Sequence, residues 1–75
     1  MRKKLSELKP GESAQIIEIS PSVKGRVAGM GIKVGEKVKL VSEQPFGGPL
    51  VVVVKGRETS LGRSLANLIL VEVRK

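Results

Sequence analysis

Gly and Pro cut this sequence at short intervals, at Pro10-Gly11, Pro21, Gly25, Gly29, Gly31, Gly35, Pro45 to Pro49, Gly56 and Gly62. Such breaks leave no room for a long helix, because an interior Gly costs about 1 kcal/mol and an interior Pro about 3 kcal/mol. The segments between them are β-branched: Val and Ile supply 16 of the 30 hydrophobic side chains, and Ala only three. Restricted χ1 rotamers suit those residues to pleated surfaces and not to a helical bundle. Short strands separated by turn residues predict a small all-β fold, and 75 residues suffice for a single domain spanning 1–75.

Leu5 to Leu8 reads as a helical turn with two apolar anchors. Lys9-Pro10-Gly11-Glu12 ends it, with Pro and Gly at the central positions of a type II turn. Ala14 to Ser20 follows as a strand, with Ile17 and Ile19 on one face and Ala14, Ile16 and Glu18 on the other. Beyond Pro21, Val23 to Met30 makes two helical turns with Val23, Val27 and Met30 on one side. Ile32-Lys33-Val34-Gly35-Glu36 echoes Leu8-Lys9-Pro10-Gly11-Glu12, so the same turn precedes a second strand, Lys37 to Gln44, in which Val38 and Leu40 alternate with Lys37 and Lys39. Leu50 to Lys55, apolar on both faces, is a central third strand, and Gly56 turns it tightly into Glu58 to Leu61. Ser64 to Asn67 fits one helical turn, and Leu68 to Arg74 closes the sheet. Five short strands with one or two short helices are best satisfied by a small barrel, which leaves few edges.

The chain lacks Cys, His and Asp, so thiolate chemistry, the commonest general base and most metal-ligand sets are unavailable. Ser60 or Ser64 beside a Lys would be a nucleophile only with an oxyanion hole, and nothing in the pattern builds one. Gly29, Gly31 and Gly35 miss the dinucleotide spacing by one residue and follow no strand, which leaves them as turn formers. The Glu residues are isolated along the chain. An enzyme, a cofactor and a metal site are therefore not expected.

The formal charge of +7 invites a nucleic-acid reading. Arg2, Lys3, Lys4, Arg74 and Lys75 lie at the ends, however, and without those five there are nine bases against seven Glu. The basicity is then largely a solvated terminal fringe, with Arg2, Lys3 and Lys4 outside the predicted strands. Arg2-Lys3-Lys4 is followed by Leu5-Ser6-Glu7-Leu8-Lys9 and not by the apolar stretch of an export signal, and the longest apolar run, Leu50 to Val54, is too short to span a bilayer. A cytoplasmic protein is expected.

Gln44-Pro45-Phe46-Gly47-Gly48-Pro49 carries the sole aromatic residue on a loop between two strands. Phe46 either folds back over the barrel mouth or is displayed as an anchor for a protein partner. Met30, between two glycines, is either core filler or a partner contact.

Several runs together resemble the ferrous iron transport protein A family: Leu5 through Ala14, Arg26 through Ile32 with Gly35 and Val38, Pro45 to Pro49 followed by Val51, Val53 and Gly56, and Leu61-Gly62-Arg63 with Ala66, Ile69 and Val71. Four such pieces in one order cover Leu5 to Val73. The resemblance implies an SH3-like β-barrel and a small, non-enzymatic cytosolic accessory to the membrane ferrous iron permease FeoB, acting on its cytosolic GTP-binding part. Related domains occur in iron-dependent repressors, but with Met1 opening the sequence and no DNA-binding helices read in it, a repressor is not expected. The expected contacts are Phe46, Met30 and Arg26, with Gly11, Gly31, Gly35 and Gly56 as structural turns. A small basic barrel that binds RNA or ribosomes is the alternative.

Overall fold

The computed structural model describes residues 1–73. Six strands form one antiparallel sheet in the order β1-β6-β2-β3-β4-β5. They are β1 (Arg2–Lys4), β2 (Ser13–Ile19), β3 (Lys37–Glu43), β4 (Leu50–Val54), β5 (Arg57–Leu61) and β6 (Ile69–Glu72), with α1 (Pro21–Ala28) and α2 (Arg63–Ala66) in the connections. Overall extents of 28 × 26 × 22 Å show a sheet rolled on itself, since a flat one is only about 10 Å thick. One core fills the roll: Leu5, Ile16, Leu40, Leu50, Leu61 and Ile69 are fully buried and come from both halves of the strand order. This is the small SH3-like barrel anticipated above, with a sixth strand in place of five.

The extra strand is β1, in the segment read as a solvated fringe. Arg2, Lys3 and Lys4 pair with Glu72, Val71 and Leu70 of β6. Lys3 Nζ reaches Glu12 Oε1 at 3.0 Å, and Arg2 Nε lies 3.6 Å from Glu72 Oε1. The Met1 amino group also pairs with the Glu72 carboxylate. These contacts bias both acids toward ionisation. Glu12 is held below the ordinary carboxylate range, first by the Lys9 backbone N–H and then by the Lys3 ammonium. Glu72 is lowered mainly by its hydrogen bond from the Met1 amine. Arg74 and Lys75 lie outside the described residues.

A second departure concerns β2. Ile16 and Ile19 are both buried, although strict alternation would put them on opposite faces. The pairing of β2 with β6 shifts register between Ile16 and Glu18, so a bulge at Ile17 inverts the inside-outside parity. The strand thereby buries Ala14 and Ile16 before the bulge and Ile19 after it. A similar shift falls between Leu40 and Ser42 where β3 meets β4.

The two echoed turns share one geometry. Glu12 N–H donates to Lys9 O at 2.9 Å with Gly11 at φ 89°, and Glu36 N–H donates to Lys33 O at 3.1 Å with Gly35 at φ 97°. A side chain at either glycine would be strained in that conformation. Pro21 occupies the first turn of α1, where its missing N–H costs nothing. The helix closes through Gly31 N–H to Ala28 O at 3.0 Å and Ile32 N–H to Val27 O at 3.2 Å, with Gly31 at φ 81°. This Schellman arrangement packs Ile32 beside Val27 in the core. It ends the helix before Met30, which lies partly buried at the core margin.

Candidate functional site

The β3–β4 loop is a compact knob. Gln44 N–H donates to Pro49 O at 3.2 Å, and Gly48 N–H donates to Pro45 O at 3.3 Å. The second bond closes a turn with Phe46 at φ 59° and Gly47 at φ 74°. A Cβ on Gly48 would sit 2.7 Å from Gln44 Cβ, so the closeness of the loop's two arms requires glycine there. Phe46 itself is fully exposed, at 104%. The reading in which it folds back over the barrel mouth is therefore not what the chain adopts. A bulky residue at positive φ costs about 1–2 kcal/mol, and no burial of the ring offsets it.

Arg63 at the start of α2 ties this knob to the barrel. Its Nη2 donates to Gly48 O at 3.3 Å and lies 3.7 Å from Glu43 Oε2. Its Nε is buried with no hydrogen-bond partner. The tether was legible in principle. The Lys55-Gly56 turn, with φ of 54° and 76°, pairs Val54 with Arg57 and Leu50 with Leu61, and the same register carried two residues further sets Arg63 opposite Gly48.

An apolar strip leads away from the knob along the outer sheet face. Leu50, Val52 and Val54 are buried, which leaves Val51 and Val53 half-buried on the opposite face, and Val41 is exposed at the β3 bulge. Strand β4 has apolar residues on both faces, as a central strand would, yet one of those faces meets solvent.

Met30 and Arg26 lie elsewhere. Met30 lines a groove of about 610 Å³ between Ala28–Gly31 and the β4–β5 turn, whose other walls include Val54, Lys55, Arg57, Glu58 and Thr59. Arg26 is exposed in the last turn of α1. The Phe46 knob precedes the start of β4, and this groove adjoins its end. Phe46 and Met30 thus lie by opposite ends of one strand, and Arg26 lines neither the knob nor the groove. The glycines weighed as a phosphate cradle follow the C-terminus of α1, the end whose dipole disfavours anions. Ser60 is exposed on β5 and Ser64 on α2, and among the described residues no group of three or more acidic side chains gathers. No helix among the described residues is long and apolar enough to cross a membrane.

The FeoA domain model matches residues 3–73, nearly the whole chain. An Fe(2+) transport protein A of Methanocaldococcus jannaschii is 40% identical over 47 residues, covering 63% of this chain and 55% of that protein, so the match spans about half of this curated relative. The solved structure of an FeoA-like protein from Clostridium acetobutylicum superimposes with a TM-score of 0.90 at 30% identity, covering 99% of this chain and 88% of that one. A manganese-dependent transcriptional repressor shares the fold alone, with a TM-score of 0.87 at 21% identity over 97% of this chain and 42% of its own. A match that runs from β1 through β6 and takes in the Phe46 knob, both Lys-x-Gly-Glu turns and the Arg63 tether is a match to the entire architecture: the chain belongs to the FeoA domain family.

Proposed function

We propose that this protein is a cytosolic, non-enzymatic accessory of ferrous iron uptake that binds the cytosolic GTP-binding region of an FeoB-type permease. The observation that carries the reading is Phe46, an aromatic ring wholly in solvent on a loop held at positive φ and tied down by Arg63. A ring displayed this way gains its stabilisation only when a partner covers it, which is how interface anchors behave. Pre-ordering of the loop lowers the entropy lost on binding. The half-buried Val51 and Val53 and the exposed Val41 extend the apolar contact beyond the ring. Family membership supports a place in ferrous iron transport, and a residue set without His, Cys or Asp supports action by contact instead of catalysis.

Titration calorimetry of the purified permease domain with this protein tests the reading. A saturable complex of fixed stoichiometry is the expected result. Absence of heat and of co-elution at concentrations of tens of micromolar would overturn it.

A further inference from the structure

We infer that the free edge of β5, with the groove beside it, is a strand-addition site for an extended, carboxylate-bearing segment of a protein partner. This site is separate from the Phe46 knob and does not depend on it.

Two strands end the sheet, β1 and β5. The β1 edge is three residues long, carries Arg2, Lys3 and Lys4, and runs at once into the helical turn Leu5–Glu7. Short, basic edges of that kind resist pairing with another chain. The β5 edge is different. It runs five residues, its pairing with β4 contains no bulge, and it holds no Pro.

The hairpin fixes which backbone groups are available. A two-residue turn at Lys55-Gly56 makes Val54 and Arg57 a hydrogen-bonded pair, so Arg57, Thr59 and Leu61 bond to β4. The N–H and C=O groups of Glu58 and Ser60 then point away from the sheet. Among the described residues they find no backbone partner in the turns and loops. The groove of about 610 Å³ is lined by Arg57, Glu58 and Thr59 on this edge. Its opposite wall, Ala28–Gly31, contains two glycines and the partly buried Met30, so the side chains of an added strand would find space there.

Charge selects the occupant. In sequence, Arg26 and Lys33 lie two residues to either side of the Ala28–Gly31 wall, and Lys55 and Arg57 lie to either side of Gly56. Lys55 is engaged by Glu36 at 3.5 Å. Arg26, Lys33 and Arg57 have no ion-pair partner among the described residues, against the one carboxylate of Glu58. A second copy would bring another +7 to the same place. An acidic extended segment supplies what is missing, and main-chain pairing with alternate side chains in a groove is a recurring mode of peptide capture.

The test uses NMR titration of the full chain with acetylated, amidated seven-residue peptides, one alternating Thr with Glu and one alternating Thr with Lys. The Glu peptide should shift and protect the Glu58 and Ser60 amides and shift Met30, binding at least about tenfold more tightly than the Lys peptide. Ser60→Pro removes an outward N–H and no β4–β5 bond, so the folded variant should lose about tenfold in affinity or more. Should that variant not fold, Arg57→Glu, which leaves the backbone intact, should reverse the preference between the peptides. Silence of the edge amides at millimolar peptide, or equal response to both peptides, would overturn the inference. So would concentration-dependent dimerisation through the same amides, or occupation of the edge only by an added oligonucleotide.

Discussion

Replacing Phe46 by Ala distinguishes display from burial on one variant. The ring is fully exposed, so its removal takes no apolar area out of the core. The stability change should then stay within about 0.5 kcal/mol, as for other exposed positions. A core lid would instead lose about 3–5 kcal/mol. The Ala variant keeps the positive φ and its strain. Phe46→Gly removes that strain, worth about 1–2 kcal/mol, and gives back part of it through a freer unfolded chain. The Gly variant should therefore be at least as stable as the parent. Both variants remove the anchor and should weaken binding to the permease domain by about 2 kcal/mol, roughly 30-fold in Kd. Guanidinium denaturation and calorimetric titration on the same preparations give the two numbers. A stability loss above about 1 kcal/mol for Ala, or an unchanged Kd in a complex that otherwise forms, would refute the reasoning.

Gly11→Val and Gly35→Val should each destabilise by about 1 kcal/mol or more, since the backbone holds these residues at φ 89° and 97°. No atom lies within 4 Å of an added Cβ, so the cost is conformational, and unchanged thermal midpoints in both variants would contradict it. Removing Arg2, Lys3 and Lys4 should lower the thermal midpoint by several degrees, because β1 and the Lys3–Glu12 pair go with them; an unchanged midpoint would restore the picture of a solvated fringe. Glu12 and Glu72 both have lowered folded-state pKa values, so their contribution is present above the ordinary carboxylate range and is lost as pH falls through and below it. Amides of Arg2 to Lys4 should accordingly exchange faster at pH 3 than at pH 6, after correction for intrinsic rates, than do those of β3 and β4. Anaerobic calorimetry with Fe²⁺ should show no saturable site of micromolar affinity in the untagged protein, since isolated Glu side chains cannot close a coordination shell.

The β3–β4–β5 meander was readable from the sequence because its determinants are local: Val38 and Leu40 alternate with Lys, Leu50 to Val54 is apolar throughout, and Gly56 turns the hairpin. Strand β1 was not, because Arg2, Lys3 and Lys4 carry no apolar alternation and become a strand only through β6, at the far end of the sequence. The parity of β2 was half readable. Ala14 and Ile16 lie inside together, but the bulge that brings Ile19 inside is set by register with β6 and leaves no mark in the alternation. Phe46 stood out as the sole aromatic, whereas its direction depended on Gly47, Gly48 and Arg63 acting together. Met30 was expected as a contact from its place between two glycines and Arg26 from the family resemblance, and neither signal says where a residue lies relative to Phe46: the length of β4 separates the Met30 groove from the knob.

The strand order has a kinetic consequence. Strand β6 sits between β1 and β2, so Ile16 faces Val71 and Lys3 also faces Val71, from its other side. Until β6 docks, β1 has no neighbour, and β2 is held by the three pairs that Ser13 to Gln15 make with β3 and by the hydrogen bonds of Ile16 with Gly35 and Glu36. The β3–β5 meander closes short loops and can form early, whereas the β1–β6–β2 half must close loops nearly as long as the chain. The order of loop closure therefore favours the meander as the first part to form, with β6 as the strand whose docking zips the barrel shut.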